Sequence, residues 1–214
     1  MNKLYLVGGP TRVGKSTIME GLVKKHPMHL IATDAVQQAV RSLFVDDPFQ
    51  ILQSVEYRGY TKFKKFGKGE VKENFEKSGN EVELTQRALI GMLDHYRRNK
   101  LDVAMEGFHI TPEWVSTISL KGYDVVPAFV GFNSADHTDN IVAHAKQNKH
   151  DWINEWLERH NNDVELLRKR LGEQAEINKK TAKKARELGY PYFDITSMPF
   201  EEYVETVQNH LLGR

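Results

Sequence analysis

A doubly wound α/β fold, with a parallel sheet covered by helices on both faces, is predicted by three observations. Five short segments rich in β-branched and aromatic residues are spread through the 214 residues. Stretches with helical spacing separate them. Most of the five are continuously apolar rather than alternating, as strands buried on both faces should be. Alternation of strand and helix is the pattern of βαβ units, whose crossovers place helices on both sides of one sheet.

The first strand is expected over Lys3 to Gly9, and a helix over Ser16 to Lys25 directly follows a glycine loop. A second strand is expected from His29 to Asp34, then a helix over Ala35 to Phe44. Leu89, Met92, Leu93 and Tyr96 fall at i, i+3, i+4 and i+7 before the cationic pair Arg97-Arg98, the signature of an amphipathic helix ending in positive charge. The third strand spans Leu101 to Gly107. Thr111-Pro112-Glu113 reads as a cap followed by proline at the first helical position, with Gly122 as the stop. Asp124 to Phe132 and Pro191 to Thr196 are the fourth and fifth strands. Phe200, Tyr203, Val204, Val207 and Leu211 share one face of a last helix, opened by Pro199 and ended at Gly213. Two connections are too long to be simple crossovers, about 45–82 and 133–188. Both are expected to form substrate-covering insertions of a single domain over 1–214.

Composition removes several classes. Hydrophobic residues at 40% and charged residues at 28% are ordinary for a globular chain. Thirty Lys plus Arg against 29 Asp plus Glu leave a net charge of +1, so no global field draws nucleic acid or anionic lipid, and an anion site has to be local. There is no cysteine, which rules out disulfides, thiolate metal sites and cysteine nucleophiles. No stretch is long and apolar enough to span a bilayer, and Leu4 to Val7 is too short for a signal-peptide core. A cytoplasmic location is the expectation.

Gly9-Pro10-Thr11-Arg12-Val13-Gly14-Lys15-Ser16 satisfies G-x-x-x-x-G-K-[ST], between a predicted strand and a predicted helix. Glycines let the backbone curl so that successive N–H groups face phosphate, and the helix adds its unsatisfied amides and positive dipole end. The motif predicts a nucleoside triphosphate site, for ATP with Mg²⁺. Lys15 is expected at the β- and γ-phosphates, Ser16 on Mg²⁺, and Thr17 at the α-phosphate. Arg12 is open to two readings, contact with the nucleotide or exposure to solvent.

The loop G-G-P-T-R-V-G-K-S-T, the second-strand end I-A-T-D-A-V and the third-strand end A-M-E-G-F-H resemble the P-loop small-molecule kinases. Within them they are most similar to 2-phosphoglycerate kinase and its relatives, the zeta-toxin and chloramphenicol phosphotransferase types. The resemblance implies a P-loop NTPase three-layer fold, with a five-stranded parallel sheet in the order 2-3-1-4-5 and helical lid insertions. It implies that Asp34 accepts the proton of an attacking hydroxyl, and that arginines of a lid, with Arg159, Arg168 and Arg170 as candidates, close over the triphosphate. The segment Asp194-Ile195-Thr196-Ser197 resembles the D-T-S-like ending near which adenine lies in many such kinases.

From the residues alone, Asp34 and Glu106 lie at strand carboxyl ends, where open α/β sheets bind ligands. Asp34 is either a general base or a cap for the helix that follows, with Gln37 completing a capping box. Glu106 holds Mg²⁺ through water, orients the acceptor, or makes a plain hydrogen bond. His109 is either functional or a packing residue, and a lone Glu106/His109 pair falls short of a zinc site. Lys62, Lys64, Lys65 and Lys68, interleaved with Phe63 and Phe66, suggest a solvated face more than an anionic small-molecule site. A nucleic-acid surface is the reading least favoured. The expectation is an ATP-dependent kinase acting on a small hydroxylated acceptor. A P-loop ATPase or switch and a nucleic-acid kinase are the rivals.

Overall fold

The computed structural model describes residues 2–42, 81–118, 122–133, 137–147 and 151–214. Five strands form one sheet: β1 (Asn2–Gly8), β2 (His29–Ala32), β3 (Val103–Gly107), β4 (Tyr123–Gly131) and β5 (Tyr192–Asp194). Their order is β2-β3-β1-β4-β5, and every neighbouring pair is parallel. This is the predicted order. β1 is the hub, with Leu4 opposite Val103 on one side and Val125 on the other.

Successive residues of β1 alternate between two cores, as the pleat requires. Leu4 and Leu6 enter one, with Ile31, Leu89, Leu93, Met105 and Phe129. Tyr5 and Val7 enter the other, with Ile18, Leu22, Val130, Tyr203 and Val207. β1 is buried on both faces from Leu4 on, which explains its continuously apolar run.

Eight helices are seen among the described residues. α1 (Lys15–Lys25) buries Ile18, Met19 and Leu22 and ends on Lys24 and Lys25, charges that suit a helix carboxyl end. α2 (Thr33–Ser42) and α3 (Glu81–Arg98) pack together over the opposite face. α4 (Pro112–Thr117) begins as predicted, with Thr111 accepting a hydrogen bond from Trp114 N at 3.2 Å. It ends earlier than expected, at Ile118, so Gly122, with φ of 104°, turns the chain into β4 rather than stopping the helix.

The stretch 133–188 contains α5 (Thr138–Gln147), α6 (Trp152–Arg159) and α7 (Val164–Glu187). The second half of α7 lies on the sheet: Asn178 is buried and its Nδ2 donates to Phe132 O at 3.2 Å. α8 (Phe200–Leu212) buries Tyr203, Val207 and Leu211 and closes at Gly213 in the left-handed region. Of the other long stretch, 45–80, including the lysine cluster, lies outside the described residues. Among the described residues no helix is long and apolar enough to cross a membrane.

Candidate phosphate-binding and catalytic site

β1 ends at Gly8, and the chain passes through Gly9 to Gly14 before α1 begins at Lys15. Gly14 caps α1 at φ 74°, the left-handed region that favours glycine, and a Cβ there would also press on the Phe200 ring, whose exposed end would have to shift. Arg12 is also left-handed, at φ 66°, which costs an L-residue about 1–2 kcal/mol. The loop is held from outside. Tyr203 Oη donates to Val13 O at 2.9 Å, and burial pushes this phenol strongly up, so it stays a donor.

Lys15 lies deep in the loop, where Nζ donates to Pro10 O at 2.5 Å. Burial lowers its pKa, against the raising influence of Glu106 and Asp34. Ser16 Oγ donates to Glu106 Oε1 at 3.1 Å. Glu106 lies in β3, paired with Val7 of β1 and Ala32 of β2, so the sheet register itself brings it to the loop. Burial raises its carboxyl above the usual range, opposed by Lys15 and the Ser16 hydroxyl and reinforced by Asp34 and Glu20. Four expected residues, Lys15, Ser16, Asp34 and Glu106, are thus gathered at the carboxyl edge of β1 and β3.

Asp34 reaches this place differently from the prediction. β2 ends at Ala32, and α2 starts at Thr33, so Asp34 is an exposed residue of the first helical turn and neither ends a strand nor caps the helix. The cause is Thr33, which turns inward. Its Oγ1 lies 2.8 Å from His109 Nδ1, both residues are wholly buried, and a Cβ on Gly107 would meet that Oγ1 at 1.7 Å. Gly107, with φ of 150°, leaves the space that lets α2 start against the end of β3. His109 is therefore built into the joint between the two elements that carry Asp34 and Glu106. Thr33→Val keeps the shape and removes this hydrogen bond. It should cost about 1–3 kcal/mol, read from the midpoint of urea unfolding; an unchanged midpoint would deny the joint any weight.

Arg12 is not the solvent-facing arginine of one of its two readings: its guanidinium pairs with Asp151, the buried cap of α6. Sequence reasoning gave Thr33 and Asp151 no role and read Tyr203 only as part of the apolar face of the last helix. Only Asp151 had a local signal, as an acid placed before an amphipathic helix. Of the lid candidates, Arg168 pairs with Asp139 at 3.1 Å and Glu165 at 3.5 Å, Arg159 closes α6, and Arg170 is exposed on α7. At the end of β5, Asp194 accepts from Thr196 N at 2.9 Å and Thr196 Oγ1 at 2.7 Å, and Asn133 Nδ2 donates to its other oxygen. The strand-to-helix turn is made by these bonds.

A hard cation such as Mg²⁺ suits the hydroxyl and carboxylate oxygens of Ser16 and Glu106. In phosphate sites it takes one or two protein oxygens and completes its shell with phosphate and water. Among the described residues no group of three or more His, Cys, Asp or Glu side chains is gathered for a metal, so a cation here would be held largely by the nucleotide.

No family model matches the chain, and no curated protein matches its sequence. Among solved structures, dephospho-CoA kinase from Campylobacter jejuni aligns with all of this chain and 99% of its own, at TM-score 0.50 and 14% identity. Shikimate kinase from Bacteroides thetaiotaomicron aligns over 99% of both chains, again at TM-score 0.50 and 14% identity. The fold is that of the P-loop kinases. At this identity the likeness speaks for the kinase fold alone.

Proposed function

We propose that the chain is an ATP-dependent phosphotransferase that moves the γ-phosphoryl group to a hydroxyl of a small molecule, with a phosphorylated hydroxy acid among the candidate acceptors. The observation that carries this reading is the gathering of Lys15, Ser16, Asp34 and Glu106 around one phosphate loop. Backbone amides of Gly9 to Thr17 bind the phosphates, and Lys15 leaves Pro10 O for the β- and γ-oxygens. Ser16 and Glu106 hold Mg²⁺, which when bound neutralises charge on the phosphates. Asp34 is exposed, and therefore accessible to an acceptor. It takes the hydroxyl proton while the acceptor oxygen bonds to phosphorus and the β,γ-bridging bond breaks, leaving ADP.

The stretch 133–188 supplies the lid in this reading, within a single kinase domain over 1–214. Arg159 or Arg168 would exchange present contacts for the triphosphate on closure. The cytoplasm, with its Mg·ATP, is the compartment this activity implies.

The test is ADP release across a panel of hydroxylated acceptors, including 2-phosphoglycerate, shikimate and dephospho-CoA, against a control with none. At least one acceptor should raise the rate well above the control. A rate indifferent to every acceptor would favour hydrolysis driving a partner instead.

A further inference from the structure

Both ends of Arg12 are held by the helices between β4 and β5. On the side-chain end, the guanidinium pairs with Asp151, a residue only 4% exposed. Asp151 Oδ1 also accepts from Ile153 N at 2.9 Å, so the atom that starts α6 is the atom that holds Arg12. On the backbone end, Arg12 O lies 3.4 Å from Nε2 of His137, immediately before α5. Arg12 itself is left-handed, a conformation that persists in an L-residue only when its surroundings impose it. Anion nests are built from residues of alternating hand, so the left-handed Arg12 bears on the shape the loop offers to phosphate.

We propose that Arg12 is a positioning residue that couples the phosphate loop to α5 and α6. The docking of these helices selects the nest-forming shape of the loop, and a triphosphate bound in the nest in turn favours the docked helices. The inference rests on the loop being a triphosphate site. Linkage makes the effect reciprocal: whatever the helices contribute to phosphate affinity, phosphate contributes to their docking. Arg12 acts here without touching phosphate, since its charged end is turned to Asp151.

Asp151→Asn separates the pair from the cap, because Asn caps helices as well as Asp and keeps an oxygen for Ile153 N. Arg12→Gln cuts the same tie from the loop side and leaves the α6 cap untouched. Two readouts are needed, Mg·ATP affinity by calorimetry and the ATP-induced protection of amides 152–159 from hydrogen exchange. In the wild type, ATP should bind and should raise protection in α6. Each variant should bind ATP about 5–30-fold more weakly, within the usual range of coupling between sites, and should lose the ATP-induced protection. The double variant should be no worse than the weaker single one.

A wild type that does not bind Mg·ATP would sink the triphosphate reading rather than the coupling. Wild-type binding with unchanged affinity in the variants, with protection retained, or with additive losses in the double variant would overturn the coupling. Should Asp151→Asn fail to fold, Arg12→Gln carries the same two readouts alone.

Discussion

Asp34→Asn is expected to lower phosphoryl transfer to the best acceptor by about 10²–10⁴-fold, the share of a positioned acid or base, while Mg·ATP affinity stays nearly unchanged. Asp34 lies in the first turn of α2, where its charge also favours the helix amino end. Asn therefore forfeits only about 0.3–1 kcal/mol of stability, too little to explain a loss of that size. Asp34 also acts through space on Lys15, whose pKa it helps hold up, so a small change in ATP affinity belongs to the expectation. The measurements are transfer rate, Mg·ATP affinity and thermal midpoint for both proteins. Equal transfer rates would remove Asp34 from the chemistry.

Lys15→Ala should have the broadest effect. Losing a charged hydrogen-bond donor at the β- and γ-phosphates should weaken Mg·ATP binding by about 10–100-fold. It should lower transfer by about 10³-fold or more, because the charge that spreads in the transition state loses a preorganised cation. The fold should survive. Lys15 is buried at a desolvation cost, and its Nζ donates to Pro10 O of the same loop. The Glu106 carboxyl, deprived of the nearby cation, should titrate still higher. Calorimetry with Mg·ATP together with a melting curve is the check; a folded variant with wild-type affinity would show that this lysine does not meet the phosphates.

The sheet was legible because its signals are local. A continuously apolar strand, a glycine loop and a helix in immediate succession leave few other structures open to residues 2–25. Glu106 was legible for the same reason, as the acid of an apolar strand. The position of Asp34 was missed by one element, because the switch from β2 to α2 is decided by Thr33 meeting His109 and Gly107, far away in sequence. The pairing of Arg12 with Asp151 spans 139 positions and has no counterpart in spacing or composition. Likewise Gly122 looked like a helix stop, yet Ile118 had already ended α4. Local patterns announce elements; contacts between elements decide where side chains point.

The central place of β1 has a consequence for how the chain is made. Both neighbours of this strand lie roughly a hundred residues or more downstream, so neither exists when β1 leaves the ribosome. At about 5–20 residues per second, the apolar run Leu4 to Val7 waits for roughly 5–20 s before its first partner strand is synthesised. Helix α1 can form and dissolve countless times in that interval, since helix formation takes about a microsecond. The sheet cannot begin from its hub. During biosynthesis the segment leading into the phosphate loop is thus an apolar strand that stays without its sheet partners until β3 has been made.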